Sequence, residues 1–304
     1  MRSLKMGTLI ASALVAVTAT MSGSDARSDT WNGQGLSALH DNLSTDQAEF
    51  LSTPDQIISV ASSNSPTLIW ETLEHGERVE CLQCIPVVTN LLYDEHSETR
   101  EIAAWWLRRR IFGVFGPNQA YQQTINVLAS DSNAQRRAYA AYALGEFLDS
   151  GGIQPLATAI ANDTSPLVRA AAASALGRMN SAGNGALSVA MKDSDESVRI
   201  AAIKSAGRVN EFTDEQTAST LTGDSSAYVR RLGVGLLEDL HAKDTVASVM
   251  TLAQSDSDFE VRIAACHALG SFRDASAKTT LQNVAQNDAN TLVRDAATIA
   301  LRQL

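Results

Sequence analysis

An aspartate followed six residues later by an arginine recurs seven times along this chain, and no other feature limits its fold so strongly. The pairs are Asp94 and Arg100, Asp131 and Arg137, Asp163 and Arg169, Asp193 and Arg199, Asp224 and Arg230, Asp256 and Arg262, and Asp288 and Arg294. Successive aspartates stand 30 to 37 residues apart, the spacing of stacked supersecondary units.

The columns around each pair have physical reasons. Two residues after the aspartates stand His96, Asn133, Ser165, Asp195, Ser226, Asp258 and Asn290, and all but His96 are preferred N-cap types. A helix is therefore expected to start there, and Pro166 fits its first turn, where a missing N–H costs nothing. Three residues after the arginines come Ala103, Ala140, Ala172, Ala202, Gly233, Ala265 and Ala297, small enough to let two helix backbones approach closely. Seven after come Leu107, Leu144, Leu176, Ala206, Leu237, Leu269 and Leu301, on the same helix face. Ten after come Phe147, Met179, Val209, Leu240, Phe272 and Leu304, expected to close each unit beyond its helix; Arg110 alone breaks this column. The segment before each aspartate, such as residues 153–160, reads as another amphipathic helix. Each unit is thus a helical hairpin that cannot bury its apolar face alone and must stack on its neighbours.

Runs such as VRAAAASALG at 168–177 and VRIAACHALG at 261–270 resemble short HEAT repeats, especially those of phycobilisome lyase subunits. The resemblance covers roughly residues 78–304. It implies an all-α solenoid of about seven clear repeats whose second helices line a concave face. It also implies that the aspartates and arginines form a ladder tying loops between repeats. Residues 54–77 read as a degenerate capping hairpin, and residues 27–53 as a polar, partly disordered segment.

Residues 1–26 read as a secretory signal: Arg2 and Lys5, an apolar run from Met6 to Ala19, then a polar exit with small residues before Ala19 and Ala26 as cleavage sites. Fourteen apolar residues are short for a membrane span, and no second hydrophobic segment follows. The expectation is an exported chain, periplasmic or secreted, with no integral membrane segment once processed. A formal net charge of −10 argues against a nucleic-acid partner.

Chemistry is sparse. Cys81 and Cys84 form a CxxC with no histidine after Cys84 and no βαβ context, so neither haem attachment nor a thioredoxin-like site is expected. In an oxidising compartment they are expected to form a local disulfide. Cys266 falls in a column of small packing residues. Nucleophile elbows, zinc motifs, phosphate loops and paired catalytic carboxylates are missing, so no catalytic, metal or cofactor site is assigned. The WWLRRR run at 105–110 departs from the small residues of its column mates. Adjacent helical residues diverge by about 100°, placing Trp106 toward the core and Trp105 in a more exposed column with Tyr142. One reading makes both tryptophans filler in a widened repeat; the other makes Trp105 and Tyr142, with Arg108 and Arg109, a partner-binding patch. The leading function is a non-catalytic protein-interaction scaffold for an unidentified protein partner. The rivals are an accessory, lyase-like subunit and a thiol-redox role for Cys81 and Cys84.

Overall fold

A computed structural model of the protein describes residues 52–116, 119–180, 184–209 and 212–304. The expected signal over 1–26, and nearly all of the polar segment over 27–53, lie outside the described residues. No strand occurs among the described residues.

Helices α1 (Pro54–Val60) and α2 (Pro66–His75) form a first hairpin. Thr53 caps α1 through a reciprocal pair of bonds with Gln56, and Ser65 caps α2. Seven further hairpins follow, each with an A helix and a B helix. The A helices are α3 (Cys84–Asn90), α5 (Gln119–Ser130), α7 (Ile153–Asn162), α9 (Asn184–Ala190), α11 (Glu215–Thr220), α13 (Val246–Ser255) and α15 (Lys278–Asn287). The B helices are α4 (Ser97–Arg108), α6 (Ala134–Phe147), α8 (Pro166–Met179), α10 (Glu196–Ala206), α12 (Ala227–Asp239), α14 (Phe259–Phe272) and α16 (Thr291–Leu301). Each B helix packs on its own A helix and on the B helices before and after it.

The recurring aspartate starts every B helix. Its Oδ1 accepts the N–H two residues on, at 2.8 to 2.9 Å in all seven repeats, and that residue is the N-cap. The cap side chain then accepts from the first turn at Asn133, Asp195, Ser226, Asp258 and Asn290. His96 and Ser165 make no such bond, so in those repeats the turn rests on the aspartate alone.

The ladder runs forward along the stack. Within a repeat, the arginine's Nη1 donates to the backbone carbonyl of the aspartate six residues earlier, at 2.6 to 2.9 Å. Its Nε and Nη2 grip the carboxylate of the following repeat's aspartate. Arg137 holds Asp163, Arg169 holds Asp193, Arg199 holds Asp224, Arg230 holds Asp256 and Arg262 holds Asp288, with bonds of 2.6 to 3.1 Å. Bidentate pairs of this kind are stronger and more directional than point contacts. Burial pulls the Asp163, Asp193, Asp256 and Asp288 carboxyls upward, but the arginine bond and the cap N–H outweigh it and hold all four below the ordinary carboxylate range.

The first joint departs from this plan. Arg136 takes the Asp131 carboxylate at 3.0 Å, and Arg100 stacks its guanidinium 3.9 Å from the centre of the Tyr139 ring. Arg136 also lies over Tyr93, at 4.5 Å, and the Arg100 Nε is buried without a partner. Cation–π stacking thus stands where the other joints have a bidentate ion pair.

Small residues serve two different approaches. In the column three after the arginine, a Cβ on Gly233 would lie 2.6 Å from the Leu221 Cβ, in the 3-10 turn Leu221–Gly223 that follows α11 in the same hairpin. The glycine eight after the arginine packs against the next B helix, and a Cβ on Gly145 would lie 2.8 Å from the Ala175 Cα. Phe147, Met179 and Phe272 lie inside the last helical turn and not beyond it, as was expected of their column. Leu304 is 38% exposed.

Arg110, the exception in that column, is 1% exposed. It lies in a π-helical extension of α4 over Arg109–Val114. Its guanidinium donates to the carbonyls of Gly76, Glu77 and Val79 beyond the end of α2 and to that of Trp106, at 2.5 to 3.2 Å, and stacks 3.8 Å from the Trp106 ring centre. Burial and the neighbouring Arg109 pull its pKa down to about 9, so it stays charged at neutral pH. Arg110 therefore joins the first hairpin to the repeats.

Three outcomes follow for urea unfolding. Arg169→Ala is expected to cost about 2 kcal/mol, because it leaves Asp193 partly buried and unpaired, whereas Arg100→Ala costs less than about 1 kcal/mol. Because the Asp163, Asp193, Asp256 and Asp288 carboxyls titrate lower in the folded chain, their contribution is complete above about pH 5 and fades as the pH falls further. Equal costs for the two variants would contradict the ladder. Arg110→Ala, which strips several buried carbonyls of their donor, should cost about 3–5 kcal/mol; a loss below about 1 kcal/mol would show that it is dispensable.

Candidate partner-binding face

The column five residues after each ladder arginine faces outward on every B helix. It holds Trp105, Tyr142, Ser174, Lys204, Gly235, His267 and Ile299. Ser174, Lys204, His267 and Ile299 are exposed; Trp105, Tyr142 and Gly235 are half-buried. Trp106, one step round α4, is fully buried and donates its indole N–H to the Gly76 carbonyl at 3.0 Å.

Trp105 leans on the core, and Tyr142 is held by its neighbours. Burial, then the charge and hydrogen bond of Glu146, push the Tyr142 phenol above its ordinary pKa. Arg178 from the next B helix pairs with the Glu146 carboxylate and lies over the Tyr142 ring at 5.6 Å. Arg108 reaches the Glu146 carbonyl at 3.4 Å. Arg109 turns away and pairs with Glu77 at 3.5 Å. The structure therefore gathers Tyr142, Arg108, Glu146 and Arg178, with Trp105 in the same column, and sends Arg109 elsewhere. The sequence reading missed Glu146 and Arg178, yet both stand nine residues after a ladder arginine, in adjacent repeats with opposite charge.

A second cluster lies farther along the same face. The Tyr228 ring, 38% exposed, has the Lys204 ammonium 5.7 Å and the Arg231 guanidinium 5.0 Å from its centre. Arg231 also pairs with Glu260. A hollow of about 230 Å³ between α14 and α16 is lined by His267, Gly270, Ile299 and Gln303 among others. On the opposite side, a mostly apolar groove of about 570 Å³ runs between α5 and α7, past Ile125, Leu128, Pro155 and Ala159.

Near the first hairpin, the Cys81 and Cys84 sulfurs are joined, with Cα atoms 5.3 Å apart. Both residues are buried, which shields the sulfurs from a partner thiol. Burial pushes the Cys266 thiol up to about 12, leaving it an inert packing group. Among the described residues no group of histidines, cysteines and carboxylates could hold a metal ion, and no helix is long and apolar enough to cross a membrane.

Hairpins packed only on their neighbours, joined by a forward-running ladder, define an α-solenoid repeat protein. HEAT repeats match residues 121–189, 153–223 and 215–302, and the chain belongs to the HEAT-repeat family. No curated protein matches it in sequence. Among solved structures it is similar to Escherichia coli YibA, at 17% identity and a TM-score of 0.54, over 82% of this chain and 92% of that one. It is also similar to a chain in the structure of Kap95p with RanGDP, at 14% identity and a TM-score of 0.58, over 84% of this chain and 41% of that one. A human deoxyhypusine hydroxylase structure aligns at 17% identity over 84% and 96% of the chains, with a TM-score of only 0.36. At these identities the likeness is one of fold.

The two tryptophans should separate in a melting experiment. Trp106→Ala is expected to cost about 4 kcal/mol as a core truncation, and Trp105→Ala about 1 kcal/mol. A larger loss at Trp105 than at Trp106 would reverse the assignment of faces.

Proposed function

We propose that this protein is an exported, non-catalytic adaptor that binds a protein partner on the exposed face of its B helices. The observation that carries this reading is that Trp105 and Tyr142 hold equivalent positions in adjacent repeats, with Arg108 and Arg178 held by Glu146 beside Tyr142. Aromatic rings flanked by guanidinium groups are the side chains most often found at interface hot spots. Pre-formed contacts lower the ordering cost that association would otherwise incur. Family membership supports a repeat surface used for protein binding, and this reading takes the B face as its concave side.

The signal-like segment over residues 1–26 supports export, and the joined Cys81 and Cys84 accord with an oxidising, periplasmic compartment. The processed chain carries no membrane segment in this reading, and needs no cofactor.

Affinity capture from the periplasmic fraction tests the proposal. The wild-type chain is expected to retain a stable partner, and a Trp105→Ala, Arg178→Glu variant that remains helical should lose it. Retention of the same partner by that variant would place the interface elsewhere. Recovery of the wild-type chain solely from the cytoplasm would overturn the export reading.

A further inference from the structure

The B face carries a glycine for which packing gives no reason. Gly233 is required, because any side chain there would collide with Leu221. Two residues on, a Cβ on Gly235 would meet nothing within 4 Å. Glycine inside a helix weakens it relative to any straight-chain residue. Yet α12 keeps this one at the outward position that carries Tyr142, Lys204 and His267 in other repeats. Its physical effect is to lower the floor of the face at one spot.

The walls of that spot are chemically specific. Tyr228 is on the same helix, and Arg231 lies one turn before Gly235. Lys204 reaches over from α10 to the Tyr228 ring. Arg231 shares its charge with Glu260, while the Lys204 ammonium makes no ion pair with a described residue. Glu238 and Asp239 follow about a turn later, at the C-terminal end of α12. The spot is therefore cationic and aromatic at one end and acidic at the other.

We propose that the depression at Gly235 is a second docking point, taking an acidic peptide segment whose carboxylates meet Lys204 and Arg231 while its backbone lies against α12 across the Tyr228 ring. This deepens the adaptor reading and rests on it for the use of the B face, but its residues are separate from those around Trp105. Opposite charge steers and orients such a segment, and Glu238 and Asp239 repel it from the far end, which gives the contact a direction. A bare backbone on the floor admits closer approach than any side chain in that column would permit.

The test uses fluorescently labelled deca-glutamate, with deca-lysine and a glycine–serine decamer as controls, titrated into the full chain and read by anisotropy. Deca-glutamate is expected to bind saturably and the two controls not to. Lys204→Glu should weaken binding by about tenfold or more. Lys192→Glu, which changes the net charge equally at an exposed position on the turn after α9, should leave it nearly unchanged. Gly235→Leu is expected to leave the melting temperature unchanged or raise it, since leucine is the better helix former and its Cβ meets nothing within 4 Å, while weakening deca-glutamate by about tenfold. Trp105→Ala should leave peptide binding unaltered, so that failure of the Trp105 patch and failure of this site are read separately. The proposal is overturned if deca-lysine binds better, if Lys204→Glu and Lys192→Glu act alike, or if Gly235→Leu binds as the wild type does.

Discussion

From Arg137 to Arg262, each ladder arginine bonds backward to the carbonyl of its own aspartate and forward to the carboxylate of the next, and the spacing of the stack depends on this double grip. The backward bond ties the loop before each B helix to that helix. The forward pair sets where the following loop must sit. The same aspartate that receives the arginine also fixes the N-cap, so one side chain joins local helix initiation to long-range packing. Both partners are only about a tenth exposed, with Arg169 at 14% and Asp193 at 11%, so screening by solvent is weak and geometry matters more than net charge.

With the loops held in register, the B helices approach until only small residues fit between them. Gly145 against Ala175 and Gly177 against Ser205 are consequences of that register. The outward column carries less of the packing, and this is where the chain varies: tryptophan, tyrosine, serine, lysine, glycine, histidine and isoleucine occupy equivalent places. A face on which the fold demands little is a face on which binding can be written.

The first joint trades this rigidity for bulk. The residues that lengthen the first repeat place Phe112 edge-on to Tyr121 at 5.1 Å and near Phe147 at 6.1 Å. Arg110 is buried under the first hairpin, and cation–π stacking replaces the ion pair between Arg100 and Asp131. These departures cluster beside Trp105, so the part of the stack least like its neighbours is also the part with the aromatic surface.

Sequence alone determined the unit and its period, because helix starts, small-residue contacts and apolar stripes are local and repeat in register. It also placed Trp106 inward, since a helix turn is a fixed angle. What it did not decide was the direction of the ladder: six residues separate Asp193 from Arg199, but the carboxylate that Arg199 holds is Asp224, in the next repeat. Nor could it tell that Arg109 would turn to Glu77 and Arg178 to Tyr142, or that Arg110 would be buried, because those partners come from other hairpins. The columns set Gly233 apart as a close-contact position, but only the position of Leu221, set by the stacking of α12 on its A-helix segment, shows which neighbour makes it indispensable, and only the structure shows Gly235 open.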